Sequence, residues 1–331
     1  MSITPQNILI IHFGQVGDVI LSLPALQAIK DEFAHSKITI ACGKTSKTVV
    51  EMSGLADEII AVDRYAIRDG NRLWALREIY RIIRRVRRGG FDLAIDIHSL
   101  YETNILGFLS GAKSRLYANR GNRSLDFLSN FKPKPVVQNR SIHKTEDYLS
   151  ILGPLRIEAA SRIPRIIPDP EDVNSVLGIF ESDGLAGKRL IGMNPGAGNP
   201  SRKWKLENFA RVAESLSADE DIRVLVFLGP EERQMERDTA RLFPAGTVVY
   251  KGFDLKKLAA ACTHLELFLS NDTGPIHLAA AVGAPTLLLA GYGGHFRYLP
   301  VGPNAKTVGN VALEDLGVEE VLEAVNEVLH T

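Results

Sequence analysis

Four loops in this chain carry side chains able to do chemistry, and each directly follows an apolar run. The segment HFGQVGDV, residues 12 to 19, sets Gly14 and Gly17 three apart and follows the second with Asp18. Two such glycines permit a tight turn and the close approach of another molecule. The GxGxxG spacing of a dinucleotide site is absent, and a pyrophosphate at the start of the next helix would meet the charge of Asp18. Asp18 either caps that helix or faces a cleft as a general base. In NPGAGNPSRKW, residues 194 to 204, Asn194 is followed by Pro195, Gly196, Gly198 and Pro200, which stop regular structure and expose backbone N–H groups. Arg202 and Lys203 add positive charge beside them. That loop suits a diphosphate, or is a solvated turn.

In LGPEERQ, residues 228 to 234, Glu231 or Glu232 could accept hydrogen bonds from ribose hydroxyls. Taken alone, both read more simply as acids that offset a helix dipole. The most informative loop is LSNDTGPIHLAAAVGAP, residues 269 to 285. An apolar strand ends at Asn271, Asp272 and Thr273, and Gly274 and Pro275 open a short alanine-rich helix that Gly283 closes. The Thr273 hydroxyl and the free amides at that helix start would bind phosphate oxygens. His277, in or just past the first turn, reads as structural, through a hydrogen bond to a neighbouring element.

These loops need a scaffold that presents them at strand ends. Residues 8–13, 38–42, 58–62 and 92–97 read as short buried strands, with helices expected at 19–33 and 73–88. A second series begins near Lys188, with strand candidates RLIGMN, IRVLVFL, TVVY, LELFLS and APTLLLAG. Helices are expected at 206–217, 231–242, 255–261, 276–282 and 314–329. Strands alternating with helices imply βαβ units and parallel sheets. The proline-rich segment 163–172 reads as a linker. The expected fold class is therefore α/β, two doubly wound domains facing a central cleft. The first spans residues 1–165, the second 166–312, and a terminal helix within 313–331 is expected to pack back towards the first. Ligands of such sheets bind outside the carboxyl ends of the strands, where the four loops lie.

The bulk numbers narrow the function. A chain of 331 residues suits two domains, and 45% apolar with 24% charged residues is the balance of a soluble globular protein. A formal net charge of zero argues against a nucleic-acid partner. Two cysteines, Cys42 and Cys262, lie in separate halves, so neither a disulfide framework nor a zinc site is expected, and a reducing cytoplasm fits. The opening residues lack the features of a secretory signal. The most apolar stretch, residues 278 to 291, is interrupted by Gly283 and Pro285 and is shorter than the ~20 residues of a spanning helix. A cytoplasmic protein, at most held at the inner face of the inner membrane, is expected.

Taken in order, these segments resemble glycosyltransferase family 9, the lipopolysaccharide heptosyltransferases of the GT-B fold. GDVILSLPAL resembles the family's opening motif, FDLAIDIHS with GAKSRLYA its mid-domain pattern, and HKTEDYLSILG the segment before the linker. NPGAGNPSRKW, GPEE and NDTGPIHLAAAVGAPTLLLAG match in kind and order through the second half. The resemblance implies two Rossmann-like domains and an inverting transfer needing no metal and no cofactor. It implies Asp18 as catalytic base and a nucleotide-sugar donor, ADP-heptose foremost. The donor residues it implies are Asn194, Gly196, Arg202, Lys203, Glu232, Asp272, Thr273, Gly274 and His277. Arg202 stands where the family has lysine, Lys205 where it has proline, and YGGHFRYLPVGP after Gly291 departs from the commoner pattern.

An anionic glycolipid acceptor would suit cations in the first half. Gly17, Lys113, Arg115, Arg120 and Arg123 are the candidate acceptor residues, the last four within a basic run that continues through Lys132, Lys134, Arg140 and Lys144. The loop run from Lys113 to Lys144 reads as acceptor or membrane contact. Arg81, Arg84, Arg85, Arg87 and Arg88 read as a solvated helix face. The alternatives are a non-catalytic nucleotide-sugar or glycan-binding protein, a family member with another donor or a protein acceptor, an epimerase of similar fold, and a dehydrogenase with a degenerate fingerprint.

Overall fold

The computed structural model describes residues 3–121, 125–291, 296–309 and 311–330, with the side chains of Glu231 and Arg233 outside that description. The chain divides into two compact units, Met1–Arg162 and Ile163–Thr331. The first boundary thus falls three residues before the one read from sequence.

Unit 1 runs β1 (Asn7–His12), α1 (Val16–Glu32), β2 (Lys37–Gly43), α2 (Lys47–Ser53), β3 (Glu58–Val62), α3 (Arg64–Asp69), α4 (Arg72–Arg88), β4 (Leu93–Asp96), α5 (Tyr101–Leu109), β5 (Ser114–Tyr117) and α6 (Lys144–Ser150). Its strands pair in the order β3-β2-β1-β4-β5, all parallel. Ile8 to Ile11 and Leu93 to Ile95 are fully buried, as strands covered on both faces must be. Helix α1 buries Val19 to Leu26 on every side, so its apolar residues serve the core all round. Helix α4 is different. Ala75, Ile82 and Val86 form its buried stripe, and Leu73, Trp74, Leu76 and Tyr80 are exposed. The arginine-rich face expected to be merely solvated thus also carries large apolar side chains.

Unit 2 runs α7 (Pro170–Ser182), β6 (Arg189–Asn194), α8 (Leu206–Leu216), β7 (Ile222–Leu228), α9 (Glu236–Leu242), β8 (Val248–Lys251), α10 (Leu255–Cys262), β9 (Leu267–Asn271), α11 (Gly274–Ala281), β10 (Thr286–Leu289), β11 (Ala305–Val308) and α12 (Val318–Leu329). Its parallel sheet has the order β11-β10-β9-β6-β7-β8. The expected linker gives way to helix at Pro170, because Asp169 accepts a hydrogen bond from the Glu171 N–H and proline is pre-set for a first turn. The helix expected from 231 is a 3-10 turn until Met235 and becomes α-helical only at Glu236. Helix α12 starts at Val318, after extended Gly317, rather than at 314. Val321 and Val325 then enter the unit 2 core with Trp204 and Phe209. That burial is what holds the terminal helix.

Each sheet has one place where neighbouring strands leave in opposite directions along the sheet. In unit 1 it lies between β1 and β4, and in unit 2 between β6 and β9. The loops leaving those strand pairs form the crevices open to a ligand.

Candidate functional site

At the unit 1 switch point, β1 ends in His12 and the chain turns through Gly14 into α1. A Cβ on Gly14 would lie 2.7 Å from the Asp18 Cβ and 2.5 Å from the His12 ring, so only glycine fits. Asp18 is the third residue of α1, and Gln15 holds the cap position. The Gln15 N–H donates to Asp18 Oδ2 at 3.3 Å, the reciprocal bond of a capping box. The carboxyl therefore supports the helix start without being its N-cap residue. Burial raises its pKa above the ordinary aspartate value, opposed by the charge of Lys144, the Gln15 N–H, the Tyr148 hydroxyl and the charge of Arg120.

His12 is buried, and its Nδ1 accepts from the Gly14 N–H at 3.1 Å. Burial, with Lys144 and Arg120 nearby, lowers its pKa to about 3 and keeps the ring neutral. The neutral ring carries its proton on Nε2, since Nδ1 is an acceptor. It packs against His98 and Tyr148, at centroid distances of 5.6 and 5.2 Å. His98 is lowered to about 2, by burial first, then by the neighbouring His12 and by the charges of Arg120, Arg64 and Lys144. Lys144 is not at the surface: it pairs with Asp147 at 2.7 Å, both side chains being nearly inaccessible, and lies 4.1 Å from the Tyr148 ring centroid. Gln138 Nε2 donates to the same Asp147 oxygen at 2.6 Å.

The strand β4 contributes the floor. Asp96 is fully buried and accepts from the His98 N–H at 3.1 Å, the Ser99 N–H at 2.7 Å and Asn104 Nδ2 at 2.7 Å. Burial still raises its pKa to about 7. Ser99 has φ of +50°, a left-handed conformation unusual for a side chain with a Cβ. The bond to Asp96 holds it there and presents the His98 carbonyl, which accepts from Arg120 at 3.0 Å. Of the candidate acceptor residues, Gly17 and Arg120 thus lie with Asp18. Arg115 is tied to the Leu128 and Ala112 carbonyls at 3.0 and 2.7 Å through Nε and Nη1, which commits two of its three nitrogens inside unit 1. Lys113 is exposed, and Arg123 lies outside the described residues.

The unit 2 switch point is made of amides and hydroxyls. Asn194, at the end of β6, donates to the Phe227 carbonyl at 2.9 Å and offers its Oδ1 to Ser270 and Thr273 at 3.5 and 3.4 Å. Asn271, at the end of β9, accepts from the Trp204 N–H at 3.1 Å and donates to the Pro195 carbonyl at 2.9 Å. The Trp204 indole N–H reaches the Leu316 carbonyl at 3.0 Å. These bonds clamp the 194–204 loop to the 271–274 turn. Arg202 pairs with Asp272 at 3.0 Å across it, half exposed, and Lys203 is exposed. Glu232 accepts from the Gly229 N–H at 2.9 Å, and its side chain lies so close to Gly196 that a Cβ there would collide with it. Thr273 precedes Gly274 at the start of α11, and His277 is buried within that helix. In the loop 291–303, residues 292–295 lie outside the described residues and Phe296–Tyr298 form a 3-10 turn.

Unit 2 thus brings together Asn194, Gly196, Arg202, Glu232, Asp272 and Thr273. What sequence reading missed is the surround of Asp18: His12, Asp96, His98, Lys144 and Tyr148. Their signal was present in IHF, DLAIDIHS and HKTEDYLS, which carry buried-type positions occupied by ionisable residues. Among the described residues no three His, Cys, Asp or Glu side chains gather as a metal ion would need, and no helix is long and apolar enough to cross a membrane.

Residues 79–323 match the profile of glycosyltransferase family 9 (heptosyltransferase). The lipopolysaccharide core heptosyltransferase OpsX of Haemophilus influenzae is 23% identical over 302 residues, covering 89% of this chain and 82% of that protein. The crystal structure of a family 9 glycosyl transferase from Veillonella parvula superposes with a TM-score of 0.88 at 24% identity, covering 100% of this chain and 99% of that one. The Escherichia coli ADP-heptose lps heptosyltransferase II superposes with a TM-score of 0.80 at 18% identity, covering 98% of each chain. The two parallel sheets are therefore the two Rossmann-like domains of a GT-B fold.

Proposed function

The chain belongs to glycosyltransferase family 9, and from that premise we propose that it transfers heptose from ADP-heptose to a hydroxyl of a lipopolysaccharide inner-core glycan, with inversion and with Asp18 as general base. The glycosyltransferase class follows from the family. The donor and acceptor follow the names of its relatives, a lipopolysaccharide core heptosyltransferase and an ADP-heptose lps heptosyltransferase. The observation that carries the base assignment is the Asp18 carboxyl itself. Burial makes it a stronger proton acceptor than an exposed aspartate, while the charge of Lys144 works to keep it ionised.

The chemistry is a single displacement. The acceptor oxygen bonds to the anomeric carbon of the sugar as the bond from that carbon to the diphosphate oxygen breaks. Asp18 takes the hydroxyl proton. ADP leaves carrying the electron pair, and its charge is met by Arg202, Lys203 and the backbone amides after Thr273. Glu232 would accept from the ribose. Arg120, beside Asp18, suits an anionic group on the acceptor.

Calorimetric titration of the purified chain with ADP, UDP, GDP and NAD, in one magnesium-free buffer, tests this reading. Preference for ADP is expected. Preference for UDP or GDP would keep the glycosyltransferase and remove heptose, and tightest binding of NAD would overturn the mechanism.

A further inference from the structure

Unit 1 carries a second concavity. A cavity of about 660 Å³ lies among β1, β2 and β3 ends and the helices α3, α4 and α5. Phe13, Ile79, Ile82, Ile83, Leu106 and Leu109 give it an apolar wall. Its charged lining residues are all paired: Lys44 with Asp63 at 3.1 Å and Arg64 with Glu102 at 3.1 Å within the lining, and Arg68 with the adjacent Asp69 at 2.7 Å, while Gln15 bonds to the Tyr65 hydroxyl at 3.1 Å. Opposite charges that meet at the rim leave little for an ionic guest, so the cavity favours an uncharged apolar one. Gly14 and Gln15 line it from one side and bond to His12 and Asp18 on the other. The cavity therefore adjoins the candidate base.

Outside the cavity the same helices expose an unusual surface. Leu73 is 79% exposed, Leu76 65% and Tyr80 63%, recurring at three- and four-residue spacing opposite the buried stripe of α4. Trp74 from α4 and Ile105 and Phe108 from α5 are also exposed. The helix that presents most of them has seven arginines against one glutamate. Apolar side chains beside a dense cationic charge match a surface that is apolar within and negative at its face, namely an anionic lipid leaflet.

We propose that the α3–α4–α5 face of unit 1 is a lipid-docking surface, in which α4 lies along an anionic leaflet and the adjoining cavity receives one acyl chain of a lipid from it. This deepens the reading of a glycolipid acceptor, because it would hold the enzyme and the base loop at the leaflet where such an acceptor is anchored. It also moves the membrane contact from the loop residues Lys113 to Lys144, where Lys144 is buried and Arg115 is engaged, to the amphipathic helix α4.

The chain holds two tryptophans, Trp74 exposed on α4 and Trp204 buried in unit 2, so fluorescence can report the contact. The full chain is mixed with vesicles of phosphatidylcholine and phosphatidylglycerol, or of phosphatidylcholine alone. Sedimentation with the anionic vesicles is expected, with a blue shift of emission and quenching by lipids brominated on the acyl chain, and Trp74→Phe should remove both optical changes. Serine at Leu73, Leu76 and Tyr80 should weaken partitioning by roughly tenfold per side chain. Glutamine at Arg77, Arg81 and Arg84 should weaken it by about fivefold per arginine. In a Trp74→Phe background, Leu109→Trp should be quenched by the brominated chains, since Leu109 lines the cavity and is not among the exposed apolar residues. Equal binding to neutral vesicles, no quenching of Trp74, or unchanged binding of the serine variant would overturn the surface. Absence of quenching in the Leu109→Trp variant would overturn the acyl-chain site. No glycolipid is in the vesicles and no vesicle is in the nucleotide titration, so the two proposals fail separately. A far-ultraviolet circular dichroism spectrum and urea midpoint close to the parent's serve as the folding control for each variant.

Discussion

The two units place contrasting materials at the same point of the same strand plan. Where β1 and β4 part, the side chains are ionisable and screened from water: His12, Asp18, Asp96, His98 and Lys144. Where β6 and β9 part, Asn194, Ser270, Asn271 and Thr273 form a network with no ionisable member, and the ion pair of Arg202 with Asp272 sits at its edge. Buried ionisable groups have their proton affinity set by their neighbours, and they lose stability when a neighbour is removed. An amide network fixes loop shape with no charge to neutralise. Unit 1 thus holds groups whose proton affinity their neighbours set, and unit 2 a stiff, partly cationic loop.

The largest expected effect breaks the proton side of this contrast. Asp18→Asn keeps an oxygen for the Gln15 N–H but loses the proposed base, and should lower kcat by roughly 10²–10⁴-fold. ADP affinity should stay within about twofold of the parent, because the proposed donor residues lie in unit 2. Turnover within a few-fold of the parent would remove Asp18 from its role.

Next in size is the cation that opposes the rise in the Asp18 pKa. Lys144→Met leaves Asp147 charged, buried and without its lysine, which costs about 3–5 kcal/mol. Urea unfolding should show the loss in Trp74, which belongs to unit 1, more than in Trp204, which belongs to unit 2. In whatever fraction remains folded, the acid limb of kcat/KM should move to higher pH, because Lys144 lowers the Asp18 pKa. A stability loss seen equally by both tryptophans would mean that the contrast between units does not extend to their unfolding.

The histidines give a smaller effect with a definite sign. His12 has a folded pKa of about 3, below its unfolded value near 6.5. The unfolded chain therefore binds a proton that the folded chain does not, and stability is complete above pH 6.5 and is lost as pH falls below it. From pH 7 to pH 5 the loss is on the order of 2 kcal/mol for this group. Asp96, raised to about 7, acts in the opposite direction over the same window. The useful quantity is accordingly the difference between parent and His12→Gln, which should shrink by that amount at pH 5. Parallel pH curves for the two proteins would show that His12 protonates as freely in the folded state as in the unfolded one.

Much of this was legible before the fold was known, and the limits have a physical cause. β3 falls at the residues its apolar pattern marks, and β1, β2 and β4 within one residue at each end, since strands buried on both faces leave a near-continuous apolar run. β5 and β11, four residues each and partly buried, leave no such run and went unread. Asp18 was legible because two glycines announce the turn that carries it. Lys144 and Tyr148 stand over a hundred residues away, and only the packing of α6 on α1 shows that they share a site with it. The exposed apolar stripe of α4 was hidden by its own arginines, whose number drew the reading towards solvent.

The smallest effect tests the other side of the comparison, and it turns on separating stability from binding. Arg202 and Asp272 meet at 3.0 Å with 40% and 19% of their side chains exposed. A pair that open to water contributes below about 1 kcal/mol to folding, so Arg202→Gln should leave the urea midpoint of the Trp204 transition almost unchanged. If the loop is already shaped by Asn194 and Asn271, Arg202 adds charge for a diphosphate and little structure. ADP affinity should then fall by about tenfold, the weight of one charge-assisted bond, and more steeply at low salt than at high. Arg202→Lys should recover most of the charge and lose the planar fork, placing its affinity between the two. A large drop in stability with Arg202→Gln would instead make the ion pair part of the clamp, and the division between a structural amide network and a binding rim would have to be redrawn around Asp272.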